Sequence, residues 1–290
     1  MGLIINSNIS AIDKLREDGI FIVNKSDKKY LPKVLILNLM PTKSDTEYQL
    51  LKLLGRSFVD VEVEFLYTKT YKSKNTKLEY LERAYKTLDE VRDINYDGMI
   101  ITGAPLEFMD FEEIKYWKEL EEIMNYSSRN IKSTIYLCWG AVAGLYYHYQ
   151  ISKNIIPKKV TGIFQHRVIN PDFPLVKSSR DSFIAPHSRY FEIKREDIDR
   201  IEELEVLLES EETGIYIIGQ KEGKEIYITG HPEYDRDTLG NEYRRDLDKK
   251  MFPELPKNYF PKNDTTLMPE EDWGNDSQLL IDNWIKYYLM

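Results

Sequence analysis

The 290-residue chain has one cysteine, four histidines and no apolar run approaching the ~20 residues that a membrane-spanning helix needs. A single thiol, Cys138, excludes an intrachain disulfide. One thiol with four imidazoles also argues against a structural zinc site, so no metal is expected. Basic residues are in short supply: 40 Lys plus Arg against 49 Asp plus Glu leave a formal charge of −9, which argues against nucleic-acid and membrane-surface partners. Met1-Gly2-Leu3-Ile4-Ile5-Asn6 lacks the basic start and small-residue cleavage site of a signal peptide, and the cytoplasm is the expected compartment. What is present, 42% hydrophobic and 31% charged residues, is the balance of a globular chain with a sizeable core.

Periodicity gives the layout. Val34-Leu35-Ile36-Leu37-Asn38-Leu39 is an apolar run of strand length, and residues 60–67 alternate like a half-exposed strand. Residues 44–54 between them read as a helix, with Ser44 or Asp45 as its cap. Met99-Ile100-Ile101-Thr102 and Thr134-Ile135-Tyr136-Leu137 read as buried strands. Strands alternating with helices imply an α/β fold, a mostly parallel sheet flanked by helices that collects ligands at its carboxyl ends. Residues 153–199, rich in Pro, His and Arg, read as irregular. Ile215-Tyr216-Ile217-Ile218 and Glu225-Ile226-Tyr227-Ile228-Thr229 then pair as a hairpin. Four X-Pro steps between Phe252 and Pro269 predict a loop-rich wrap, closed by a helix over residues 276–289. No linker is evident, so residues 1–290 read as one unit, with a core over about 33–240 and a C-terminal wrap over 241–290.

Thr134-Ile-Tyr-Leu-Cys138-Trp-Gly140-Ala-Val-Ala-Gly144 runs from an apolar strand through a cysteine into a small-residue helix. That is the layout of a nucleophile elbow. A helix N-terminus stabilises a thiolate, and the next backbone N–H, that of Trp139, can hold an oxyanion. On this segment alone, a nucleophile and a buried structural cysteine are equal readings. Ile228-Thr229-Gly230-His231-Pro232-Glu233 breaks the tie: a thiol nucleophile needs a base, and the base needs a partner to orient it. His231 and Glu233 supply both from one strand end.

Cys138 at an elbow followed by His231-x-Glu233 resembles the triad of class I glutamine amidotransferase-like domains, except that Tyr136 stands where their elbow has its first glycine. A closer resemblance runs from about Ala11 to the C-terminus. Leu37-Asn38-Leu39-Met40-Pro41, Thr102-Gly103-Ala104-Pro105, Cys138-Trp139, Ala185-Pro186-His187-Ser188-Arg189-Tyr190, Thr229-Gly230-His231-Pro232-Glu233-Tyr234-Asp235 and Asn258-Tyr259-Phe260-Pro261-Lys262-Asn263-Asp264 look like the homoserine O-acyltransferase family of methionine biosynthesis. The resemblance implies an amidotransferase-like fold, with Cys138 as acyl-accepting nucleophile, His231 as general base and Glu233 as its partner. It further implies ping-pong transfer of an acyl group from acyl-CoA to the hydroxyl of L-homoserine, with no cofactor beyond the donor itself.

By the same resemblance Lys159, Ser188 and Arg245 contact the substrate, with a guanidinium suited to gripping its carboxylate. Lys43, His187 and Arg189 lie in matching motifs without an assigned role. The family position of Glu107 is linked to donor choice, glycine going with succinyl-CoA and glutamate with acetyl-CoA, so acetyl-CoA is the expected donor and succinyl-CoA the alternative. The blander reading is that Glu107 caps a following helix, and both could hold. The lysine-rich residues 69–77 are a candidate for the nucleotide end of CoA, though a solvated loop is the blander reading. A homodimer is expected from the resemblance alone. A glutaminase module serving a partner synthetase would share the triad, but it leaves the C-terminal motifs unexplained.

Overall fold

The computed structural model describes residues 2–24, 28, 30–71 and 75–290. In chain order the elements begin with β1 (Gly2–Ile5), α1 (Ile12–Glu17), β2 (Phe21–Ile22), β3 (Lys33–Leu37), α2 (Lys43–Gly55), β4 (Val61–Leu66), α3 (Leu78–Ala84) and α4 (Leu88–Val91). They continue with β5 (Gly98–Ile101), α5 (Trp117–Asn130), β6 (Ser133–Leu137), α6 (Trp139–Tyr149), β7 (Asn154–Val168) and β8 (Ser182–Glu192). The chain then forms α7 (Arg195–Asp199), β9 (Leu204–Ser210), β10 (Gly214–Gln220), β11 (Glu225–Ile228), α8 (Thr238–Asp248) and α9 (Gly274–Trp284). A π-helical turn, Ile285–Leu289, extends α9.

All the strands join one sheet in the order β2-β1-β4-β3-β5-β6-β11-β10-β9-β7-β8. From β2 to β11 neighbouring strands are parallel; from β11 to β8 they are antiparallel. The apolar runs are continuous because both faces are covered. Val34 and Ile36 face a core shared with α2 and α9, whereas Leu35 and Leu37 face one shared with α5 and α6. A third, smaller cluster, including Ile163, Tyr234, Leu239, Tyr259 and Trp273, lies under the C-terminal wrap. Among the described residues no helix is long and apolar enough to cross a membrane.

Several expectations need correction. Helix α2 starts at Lys43 with Thr42 as N-cap and no side-chain capping bond, so Ser44 and Asp45 lie inside its first turn. The supposedly irregular residues 153–199 contain the two longest strands, β7 and β8, paired antiparallel at the sheet edge. Their polar residues and prolines masked the pattern, because an edge hairpin tolerates both and a register shift between Ile155 and Val160 breaks the alternation. Strands β1 and β9 were also missed in the sequence, and α8 crosses the 240/241 boundary drawn there. The wrap is fastened where Lys257 N–H donates to the Thr161 carbonyl at 2.9 Å and Ile163 N–H to the Lys257 carbonyl at 2.8 Å. Asn258 Nδ2 donates to the Ile163 carbonyl at 3.1 Å, and the Tyr259 hydroxyl accepts from Gly240 N–H at 3.0 Å.

Candidate active site

Strands β6 and β11 run parallel with Leu137 opposite Ile228, so the residues that follow them leave the sheet side by side. Cys138 N–H donates to the Ile228 carbonyl at 2.7 Å. Cys138 is also the N-cap of α6, with φ 50° and ψ −115°, a conformation that residues with a β-carbon adopt only under strain. The sharp turn presents the thiol at the amino end of α6.

Two glycines make room for this turn. A β-carbon on Gly140 would lie 2.8 Å from the carbonyl oxygens of Ile101 and Thr102, so only glycine lets α6 approach the end of β5. One on Gly103 would lie 3.3 Å from Cβ of Cys138 and 3.5 Å from the Trp139 nitrogen, crowding the space beside the thiol and the candidate oxyanion donor. Gly140→Ala should cost about 1–3 kcal/mol of stability through overpacking. It should also slow alkylation of Cys138; a denaturant melt and a thiol-labelling rate check both. Tyr136 departs from the glutaminase elbow without disturbing it. It is fully buried, stacks on Tyr227 at 5.0 Å, and occupies room beside Gly144, where a β-carbon would come within 2.7 Å of its ring.

His231 Nδ1 donates to Glu233 Oε1 at 2.8 Å, and the Tyr234 ring stacks on the imidazole at 4.0 Å. The Glu233 side chain is 8% exposed. Its second oxygen is buried without a hydrogen-bond partner among the described residues. Burial disfavours the charged form of His231. The charges of Cys138 and Glu233, with hydrogen bonds to both side chains, outweigh it and hold the imidazole well above its ordinary range. Such a histidine is suited to pair with a thiolate and to return a proton to a leaving group.

A second cluster centres on Glu242, a residue of α8 that sequence reading misses. Its Oε1 accepts from the Tyr234 hydroxyl at 2.8 Å; its Oε2 accepts from the Ser188 hydroxyl and, at 3.4 Å, from Lys159. Burial works to raise the Glu242 pKa, but Lys159, Ser188, His231 and Tyr234 together hold it below the usual carboxylate value. Lys159 also pairs with Asp246 at 3.6 Å, and Asp246 pairs with Arg245 at 2.8 Å. Arg245 is half exposed and opens onto a polar cleft that Glu242 also lines. Glu242 and Asp246 sit three residues before and one after Arg245 on the same short helix, and spacing around that arginine was the signal that could have exposed Glu242.

Glu107 belongs to the same electrostatic group. Burial raises its pKa, Lys159 and His231 oppose the rise, and Glu242 adds to it. It caps no helix, because the next helical turn is Phe111–Glu113 with Asp110 as N-cap. Of the lysine-rich candidate segment, Lys72 and Lys74 lie outside the described residues, and exposed Lys69 pairs with Asp89 at 3.7 Å. Among the described residues no group of His, Cys, Asp and Glu could hold a metal ion.

The unassigned motif residues form supports. Arg189, 1% exposed, donates from Nε to His187 Nδ1 at 3.3 Å and from its terminal nitrogens to the Phe191 and Thr213 carbonyls. His187 Nδ1 being an acceptor, its Nε2 donates to His166 Nε2 at 2.9 Å, and His166 Nδ1 donates to the Phe183 carbonyl at 3.2 Å. Both rings are therefore neutral, in keeping with burial pushing their pKa values down, that of His166 to about 4. Lys43 is buried and donates to the Asn38 carbonyl at the end of β3; burial lowers its pKa to about 8 against the pull of Glu47.

Comparison with known proteins places the fold and the family. The chain superposes on a glutamine amidotransferase from Thermotoga maritima with a TM-score of 0.55 at 12% identity, covering 89% of this chain and 98% of that one. A glutamine amidotransferase from Methylobacillus flagellatus gives 0.55 at 12% identity, covering 88% and 94%. These likenesses show the class I glutamine amidotransferase-like fold. Proteins named homoserine O-acetyltransferase are 46% identical in Acetivibrio thermocellus, over 100% of this chain and 96% of that protein, and 45% identical in Lachnospira eligens, over 100% and 94%. One from Thermotoga petrophila is 46% identical over 99% and 95%. Since the model of a family described as homoserine O-succinyltransferase also matches residues 2–290, the chain belongs to that family of homoserine acyltransferases.

Proposed function

We propose that the protein transfers the acetyl group of acetyl-CoA to the hydroxyl of L-homoserine through a thioester on Cys138. The observation that carries this reading is the strained Cys138 elbow beside the His231–Glu233 pair, with the Glu242 cluster alongside. The Cys138 thiolate attacks the thioester carbonyl while the Trp139 N–H receives the oxyanion. CoA leaves as its thiol, taking a proton from His231. His231, now neutral, removes the homoserine hydroxyl proton as that oxygen attacks the enzyme thioester, and Cys138 departs as a thiolate. The first step exchanges one thioester for another, so it needs positioning and oxyanion binding more than driving force.

Homoserine is a zwitterion and needs both signs of charge. Arg245 suits its carboxylate, and Glu242, held ionised beside Ser188 and Lys159, suits its ammonium. Losing one charge-assisted hydrogen bond, worth about 1.5–3 kcal/mol, should raise the homoserine KM of Glu242→Gln about 10- to 150-fold while leaving the acetyl-CoA KM unchanged. An unchanged homoserine KM would remove Glu242 from the substrate site.

The family description names succinyl transfer and the relatives' names acetyl transfer; Glu107 supports the acetyl donor. Incubation with homoserine plus acetyl-CoA, homoserine plus succinyl-CoA, or glutamine alone tests the reading. O-Acetylhomoserine as the main product is expected. Glutamate released from glutamine would replace this reading with a glutaminase.

A further inference from the structure

The two substrates of such a reaction differ in chemistry, and so do two of the clefts beside the site. The cleft lined by Glu242 and Arg245 also holds Lys52, Asp235 and Asp237, and is mostly polar. Adjoining it across Met40 and Pro41, which line both, a pocket of about 330 Å³ is lined mainly by Leu39, Tyr67, Tyr71, Leu106, Met109 and Tyr116. It lies over the carboxyl ends of β3, β4 and β5, because its walls come from the segments that follow those strands. Ala104 and Pro105 line it too. Gly103, directly before them, is the residue whose β-carbon would sit 3.3 Å from Cβ of Cys138, so the pocket begins one residue from the thiol's neighbour.

An apolar pocket of this size repels a free zwitterion and suits a long neutral chain. Two lysines stand among its lining residues: Lys43, buried and donating to the Asn38 carbonyl, and Lys115, exposed and in no ion pair among the described residues. An exposed cation at the rim of a mostly apolar pocket, whose other lysine is already given to a backbone carbonyl, matches a ligand that is neutral within and anionic beyond.

We propose that this pocket seats the pantetheine arm of the thioester donor, with Lys115 at its rim meeting the donor's phosphates. The assignment rests on the acyl-transfer reading and adds the donor's route to it: homoserine enters from the Glu242–Arg245 side, and the CoA arm from the Leu106–Tyr116 side. Each substrate then reaches Cys138 from its own cleft.

Two variants test the route with acetyl-CoA and with acetyl-pantetheine, which lacks the nucleotide. Met109→Trp, which fills the pocket from its half-exposed rim, should raise the KM for both donors at least about 10-fold and leave the homoserine KM unchanged. Lys115→Ala, a surface change that threatens no folding, should raise the KM for acetyl-CoA about 3- to 10-fold at low salt, an increase that fades at high salt. It should leave acetyl-pantetheine unaffected. Donor KM values unmoved in both variants, or a rise in the homoserine KM of Met109→Trp instead, would overturn the assignment while leaving acyl transfer intact. Calorimetric titration of CoA alone separates the two ideas further. If the wild type transfers no acetyl group yet binds CoA, and Met109→Trp weakens that binding, the pocket stands and the proposed reaction falls.

Discussion

Cys138→Ala is expected to lower kcat/KM for acetyl transfer by at least about four orders of magnitude and to abolish the acetylated enzyme. The size follows from the role. Without the thiol, the hydroxyl of homoserine must attack acetyl-CoA directly, and His231 loses the anion that helps hold its proton. The fold should survive, because alanine at position 138 keeps the β-carbon that already accepts φ 50° and removes one sulfur from a packed site. Intact-mass measurement after mixing with acetyl-CoA and no homoserine reads the intermediate directly: one acetyl group on the wild type, none on the variant. A variant that still becomes acetylated stoichiometrically would move the nucleophile elsewhere. Cys138→Ser is a finer probe. An alcohol is a far weaker nucleophile than a thiolate, so it should acylate slowly and form an ester whose transfer to homoserine is slower still.

Glu107→Gly is expected to shift the donor preference, measured as the ratio of kcat/KM for acetyl-CoA to that for succinyl-CoA, by about 10²-fold toward succinyl-CoA. Two like charges about 5 Å apart at an effective dielectric near 20 repel by about 3 kcal/mol, and each 1.4 kcal/mol is tenfold. Most of the change should be a gain for succinyl-CoA, since the acetyl group has no charge to repel. A pH profile separates charge from bulk. Burial raises the Glu107 pKa, so its carboxyl takes up a proton earlier on acidification than an ordinary glutamate. Discrimination by the wild type should therefore weaken toward acid pH as the repelling charge is lost. In the glycine variant the ratio should lose that dependence. An unchanged donor ratio in Glu107→Gly would show that donor choice lies elsewhere; a shifted ratio with no pH dependence in the wild type would show that side-chain size, not charge, makes the selection.

Much of this site was legible in the chain because its chemistry is carried at strand ends. Cys138 and His231 each follow an unbroken apolar strand, β6 and β11, and such runs are readable as sequence. That the two strands are neighbours is a tertiary fact, since four other strands and more than eighty residues separate them in the chain. The edge hairpin of β7 and β8 was illegible for a physical reason: it faces solvent in part, tolerates proline, and buries an arginine and two histidines that hydrogen-bond one another. Buried polar networks look like surface when read one residue at a time. Glu242 was hidden likewise, as one acid among many on a charged helix, until Lys159, Ser188 and Tyr234 were seen to converge on it from two strands and a loop.

By itself the sequence determined the α/β class, the single thiol at an elbow, and the His231–Glu233 pair, because each depends on residues close together in the chain. Only the tertiary structure decided which strands are adjacent, which cleft is polar and which apolar, and that Glu242 and Glu107 share one electrostatic field with His231. Those features depend on burial and on charges brought together from distant segments, and neither is a property of a local stretch of residues.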